Sequence, residues 1–167
     1  PSWWRCWDGN YRVNLIFFSD FYKEYLDNEH IENIVIENAT NKRKRIWSVT
    51  KYLKKEQPDW VIAYQEIPSL IACIAKIYNN NYHLIVSERT TTQKVTIKDK
   101  LRFNLYRFAD AIVPNSYTQE RFLLNRYPWM KLKLKTITNF VDLNYFSFTK
   151  KLKSDLPLII VVASIIP

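Results

Sequence analysis

Polar residues stand where the apolar runs of this chain stop, and their types suit anion binding. Val86-Ser87 run into Glu88-Arg89, Ala111–Pro114 into Asn115-Ser116, and Leu134–Thr138 into Asn139 and Asp142. Asp59–Tyr64 run into Gln65-Glu66. An arginine such as Arg89 can grip a phosphate or carboxylate through two parallel N–H groups; the plainer reading is a Glu88–Arg89 pair that fixes the loop. Ser116 is a helix N-cap, and Gln119 three residues on completes a Ser-x-x-Gln capping box. A cap does not exclude a site, because helix N-termini attract anions. Asn139 and Asp142 either contact a ligand or make an Asx-type turn. Glu66 is the ionisable group at its strand end and the candidate there for acid–base work; Asp20 holds a similar place. His30 and His83 are isolated, and no Cys/His cluster has metal spacing.

The elements that must position these residues alternate. Arg12–Phe18 and Ile31–Ile36 read as strands. Asn41–Glu56 reads as a very basic amphipathic helix, with Ile46, Val49 and Leu53 on its apolar side. Pro58-Asp59 ends it, and Asp59–Tyr64 is a strand. Residues 65–69 read as a loop, Ser69–Tyr78 as an apolar helix, His83–Ser87 as a strand and Glu88–Thr96 as a loop. A helix over 97–108 is expected to carry Ile97, Leu101, Leu105 and Phe108 on one face. Strand 111–114, helix 116–126 and strand 134–138 then form a βαβ unit, whose strands must be parallel. The expected fold class is α/β, a Rossmann-like parallel sheet with helices on both faces. Ligands of such sheets bind at the carboxyl ends of the strands, where the polar residues fall.

Three blocks of this pattern are similar to the N-terminal half of family-4, GT-B-fold glycosyltransferases. They are Ser87-Glu88-Arg89, the run ADAIVPNS ending at Ser116, and Asn139-x-Val141-Asp142 followed by Phe146. The resemblance spans residues 11–167. It implies residues 1–142 as an N-terminal Rossmann-like domain without its first strand and Gly-rich loop, 143–157 as a linker, and 158–167 as the first strand of a truncated C-terminal domain. It also implies sugar transfer from a nucleotide-sugar donor to a glycan or lipid-linked acceptor in bacterial surface polysaccharide synthesis. No cofactor and no metal is implied, the nucleotide sugar being a substrate. Glu66, Glu88, Arg89, Asn115, Ser116, Asn139 and Asp142 would line the acceptor side of a cleft. The groups that stabilise the departing diphosphate lie in the other half of such enzymes, so this chain alone is expected to be inactive. Many members carry a histidine near Gln65, which is a departure here.

Composition narrows the alternatives. Gly9 is the sole glycine of 167 residues, which rules out a Gly-x-Gly-x-x-Gly loop and a P-loop within this chain. The net charge of +9 favours anionic partners. The basic residues gather at Lys42–Arg45, Lys54-Lys55 and Lys131-x-Lys133-x-Lys135. They are either solvated faces or a peripheral patch for an anionic membrane, which Tyr127-Pro128-Trp129-Met130 would suit. A non-catalytic Rossmann-like module binding such a membrane, or nucleic acid, is the alternative function; no recognised nucleic-acid motif accompanies the charge. Cys6 and Cys73 make no disulfide framework, Cys73 reads as a small buried hydrophobe, and a cytoplasmic chain, peripheral on the inner membrane face, is expected.

Overall fold

The computed structural model describes residues 14–17, 33–36, 41–90 and 95–139. Asp20, Asp142, the linker 143–157 and the strand expected at 158–163 lie outside the described residues. Among the described residues no helix is long and apolar enough to cross a membrane.

The protein is α/β, with a three-stranded parallel sheet flanked by helices, consistent with a Rossmann-like fold. β1 (Asn14–Phe17) and β2 (Asn33–Ile36) form a parallel pair. α1 (Lys42–Glu56) follows, capped by Asn41, whose side chain accepts from the Arg43 N–H. Its Tyr52 hydroxyl accepts from Asn14 Nδ2 at 2.8 Å and so ties the helix to β1. The three-stranded sheet is ordered β3 (Trp60–Tyr64), β4 (His83–Glu88), β5 (Ala111–Pro114). α2 (Glu66–Tyr78), α3 (Ile97–Leu105) and α4 (Tyr117–Arg126) are its connecting and following helices.

Register sets the core. Ala63 pairs with Val86 and Val86 with Ile112, while Leu134 bridges Ile112, so one row of side chains crosses the sheet. All four are buried. Since alternate residues of a strand face opposite ways, Leu84 and Glu88 lie on the same covered face. Ile62 and Tyr64, one step out of phase, are exposed. Ile71, Cys73 and Ala75 of α2, Phe103 of α3 and Leu123 of α4 join that core.

Three expectations are corrected here. α2 begins at Glu66, inside the stretch 65–69 read as a loop. Pro68 is tolerated because a first-turn N–H has no intrahelical partner to lose. The segment 134–138 lies parallel beside β5, with Lys135 N–H donating to Ile112 O and Ile137 N–H to Pro114 O, yet only Leu134 forms a ladder bridge. The third correction concerns α3 and the 3-10 turn Tyr106–Phe108 that continues it. The face of Ile97, Leu101 and Phe108 points outward, with Leu105 half-buried, and Arg102, Phe103 and Tyr106 are buried instead. Ser116 does cap α4, accepting the Gln119 N–H at 3.2 Å.

The amino end of the sheet is pinned by a buried lysine. Lys76 of α2 donates to Tyr82 O at 2.6 Å and to Asp110 Oδ2 at 2.5 Å. The same oxygen accepts the Leu84 N–H at 2.7 Å, so helix, β4 and the entry to β5 meet at one carboxylate. Partial burial works against the Asp110 charge, but Lys76 and the Leu84 N–H outweigh it and hold the carboxyl below its ordinary 3.8. Near that pH the folded chain therefore binds fewer protons than the unfolded one. The contribution of this carboxylate is complete above about pH 5 and disappears as pH falls through the lowered folded value. Urea midpoints measured against pH will fall on the acid side, and Asp110→Asn will flatten that fall while lowering stability at neutral pH.

Candidate functional site

At the carboxyl end of the sheet the strand ends converge. Arg89 follows β4 and is exposed. Its Nη2 donates to Asn139 Oδ1 at 2.7 Å, across fifty residues of sequence. Asn115 Nδ2 donates to Arg89 O at 3.2 Å, and the Asn115 N–H to Glu88 O at 3.1 Å. The Tyr64 ring lies 6.0 Å from the Arg89 guanidinium carbon, within cation–π range. Ser116 stands beside Asn115 as the cap of α4. Arg89, Asn115, Ser116 and Asn139 therefore share one rim, while Asp142 lies outside the described residues.

Glu88 is placed differently. It is buried under that rim, and Arg102 Nη1 and the Tyr106 hydroxyl both donate to its Oε1. The pairing partner of Glu88 is thus Arg102, not Arg89, because neighbouring residues of a strand end point to opposite faces. Arg102 Nη2 also reaches Asp99 Oδ1 at 3.2 Å and Glu66 Oε1 at 3.7 Å. Glu66, half-exposed at the first position of α2, thus meets the arginine that lies beneath the rim with Glu88. Burial pushes the Glu88 carboxyl above its ordinary value, with Arg102 and Tyr106 pulling the other way. Burial works against the Arg102 charge too, but Tyr106, Glu88 and Glu66 keep its affinity for the proton above the usual. Asp99 is held low, first by the Thr96 N–H, which it accepts as the capping box of α3.

Arg102, Tyr106 and Asp99 went unnoticed as partners in the sequence. The available signal was Thr96-x-x-Asp99, which fixes where α3 starts, with Arg102 and Tyr106 one turn apart beyond it. A glutamate at the end of a buried strand also demands a cation.

The backbone at Gln65 marks the same rim. Its φ of 72° and ψ of 175° fall in a region that only glycine occupies readily. The strain persists because the Gln65 N–H donates to Ser87 O while its carbonyl accepts from Ser69 N–H, locking the turn from β3 into α2. His83 lies at the opposite end of β4, its ring centroid 4.6 Å from that of Trp60 and tilted by 31°, beside a 360 Å³ pocket also lined by Asp59, Asn80 and Asp110. That pocket is remote from the rim. Among the described residues no group of three His, Cys, Asp or Glu is arranged to hold a metal ion.

The rim can therefore bind an oxygen-rich anion or a hydroxyl-rich ligand: a guanidinium, two side-chain amides and an aromatic face stand together. Glu88, bonded to a guanidinium and a phenol through one oxygen, is a fixed counter-charge rather than a free base. No protein-family model matches the chain, and no curated protein matches it.

Arg102→Met would strand Glu88 without its cation and will cost about 3–5 kcal/mol at neutral pH. The penalty will shrink toward low pH, where Glu88 takes up a proton. Adding Glu88→Met will restore much of the loss, all readable from urea unfolding at several pH values. Gln65→Gly will release strain and raise stability by about 1 kcal/mol; a loss of stability would instead show that the glutamine side chain stabilises the turn.

Proposed function

We propose that this chain forms the acceptor-side wall of a GT-B-type glycosyltransferase, which moves a sugar from a nucleotide-sugar donor to a glycan or lipid-linked acceptor. One observation carries the reading. The three sequence blocks that resemble such enzymes are joined by hydrogen bonds at one sheet edge, Arg89 to Asn139 and Asn115 to the Arg89 carbonyl. A parallel sheet takes its ligands at that edge. Arg89 would meet an acceptor phosphate or carboxylate, and the amides of Asn115 and Asn139 would orient hydroxyl groups.

Breaking a sugar–diphosphate bond develops positive charge at the anomeric carbon and negative charge on the leaving group. On this reading the rim contributes position more than charge relief. It holds the acceptor oxygen in line, and reactant placement alone can account for much of a barrier reduction. Glu88 and Arg102 neutralise each other beneath it, which leaves Arg89 as the ion the rim offers outward.

The test is binding rather than turnover. Pyrophosphate-linked acceptor analogues added to isotope-labelled chain should shift the amide signals of Arg89, Asn115, Ser116 and Asn139. Arg89→Ala should weaken that binding about tenfold, the scale of one lost charge-assisted contact. Signals that move only around Asp59 and His83, or an Arg89→Ala chain that binds unchanged, would overturn the assignment.

A further inference from the structure

The outward face of α3 is built backwards for a globular core. Ile97 is 85% exposed and Leu101 59%, with Phe108 also exposed, although their spacing places them along one stripe of the helix. Lys98 flanks the stripe on one side, and Lys100 and Arg107 on the other, all three exposed. The sole carboxylate of the helix, Asp99, is turned the other way, onto Thr96 and Arg102. The stripe does not end with the helix. The Arg107 guanidinium carbon lies 5.9 Å from the Trp129 ring, and Lys133 donates to the carbonyls of Arg107 and Ala109. These contacts bring in the 3-10 turn Pro128–Leu132, with Trp129 and Leu132 exposed and Lys131 beside them. On the α2 side Phe108 shares a groove with Ile77, also exposed.

We propose that this surface, from Ile97 through Phe108 to Trp129 and Leu132, docks the protein onto an anionic lipid bilayer. The charge pattern chooses that occupant. An interfacial helix lays its apolar stripe among the acyl chains, while flanking lysines and arginines meet lipid phosphates and tryptophan sits at the headgroup level. A second copy of the chain would set Lys98, Lys100 and Arg107 against their own counterparts, a like-charge juxtaposition that opposes pairing. A nucleic acid would satisfy the cations but leave Ile97, Leu101 and Leu132 unused, because single strands are held by stacking on aromatic faces. The surface is separate from the rim of Arg89, Asn115 and Asn139, and vesicle binding is measured without sugar transfer, so this inference stands or falls independently of the proposed activity.

Flotation of the chain with vesicles decides the matter. It is expected to float with vesicles of phosphatidylcholine and phosphatidylglycerol and not with phosphatidylcholine alone. Binding should weaken as ionic strength rises from about 0.1 M to about 1 M, which shortens the screening length from roughly 10 Å to roughly 3 Å. Ile97→Ser/Leu101→Ser, both at exposed positions, should reduce binding about tenfold or more with circular dichroism unchanged. Lys98→Ser/Arg107→Ser should weaken it and soften its salt dependence. Failure to float with anionic vesicles would overturn the proposal, as would undiminished binding of the Ile97→Ser/Leu101→Ser chain. It would equally fall if only Arg43→Ser/Lys44→Ser in α1 abolished binding, or if the α3 substitutions instead split a dimer seen by light scattering.

Discussion

The ion pair between Glu88 and Arg102 decides how α3 and the strand ends beside it can pack. Both side chains are buried, and two charges in such a place persist only while they satisfy each other. The pair joins the end of β4 to the middle of α3, so it fixes the rotation of that helix about its own axis. Phe103 and Tyr106 enter the core with Arg102, and Phe103 meets the rings of Tyr106, Phe122 and Tyr127 at 5.3–6.4 Å. Once that face is inside, Ile97 and Leu101 have no place but the surface. Strand alternation carries the same constraint to the rim: with Glu88 held inward, Arg89 is turned out toward Asn139. A buried charge thus sets both the rim of Arg89 and Asn139 and the exposed stripe.

The opposite end of the sheet repeats the device with the sequence order reversed. There a helix supplies the cation, Lys76, and a strand entry the acid, Asp110. Between the two charged ends the rows of the sheet are apolar, Ala63, Val86, Ile112 and Leu134 lying side by side. Hydrophobic contact is non-directional, whereas each ion pair accepts one geometry. The apolar rows hold the layers together; the ends fix their position.

Much of this order is visible in the sequence. Apolar runs marked β3, β4 and β5, apolar spacing marked α1, and the Ser116 cap marked α4, because strand burial, helix periodicity and helix ends leave local signatures. The rim residues were legible for the same reason, since a polar residue after a buried run is a strand end. Of the readings corrected, one turned on a local detail and another on a distant partner. Pro68 reads as a breaker unless one sees that it occupies a first turn. Ile97, Leu101 and Phe108 read as core because periodicity reports which residues share a face, not whether that face points inward. A choice between an aliphatic stripe and one containing arginine went to the arginine because Glu88, fourteen residues earlier, was waiting beneath it.

Cys73 sits in the middle of α2 with no exposed surface, and burial pushes its thiol up to about 12. Only the thiolate attacks an alkylating reagent. At about pH 8 a thiol with that affinity is ionised in roughly one molecule in ten thousand, beyond its steric protection. Chemical labelling of this sulfur therefore has to wait for α2 to leave the sheet. The rate at which the sulfur is modified becomes a clock for transient opening of the core, set by the interactions that keep the helix in place.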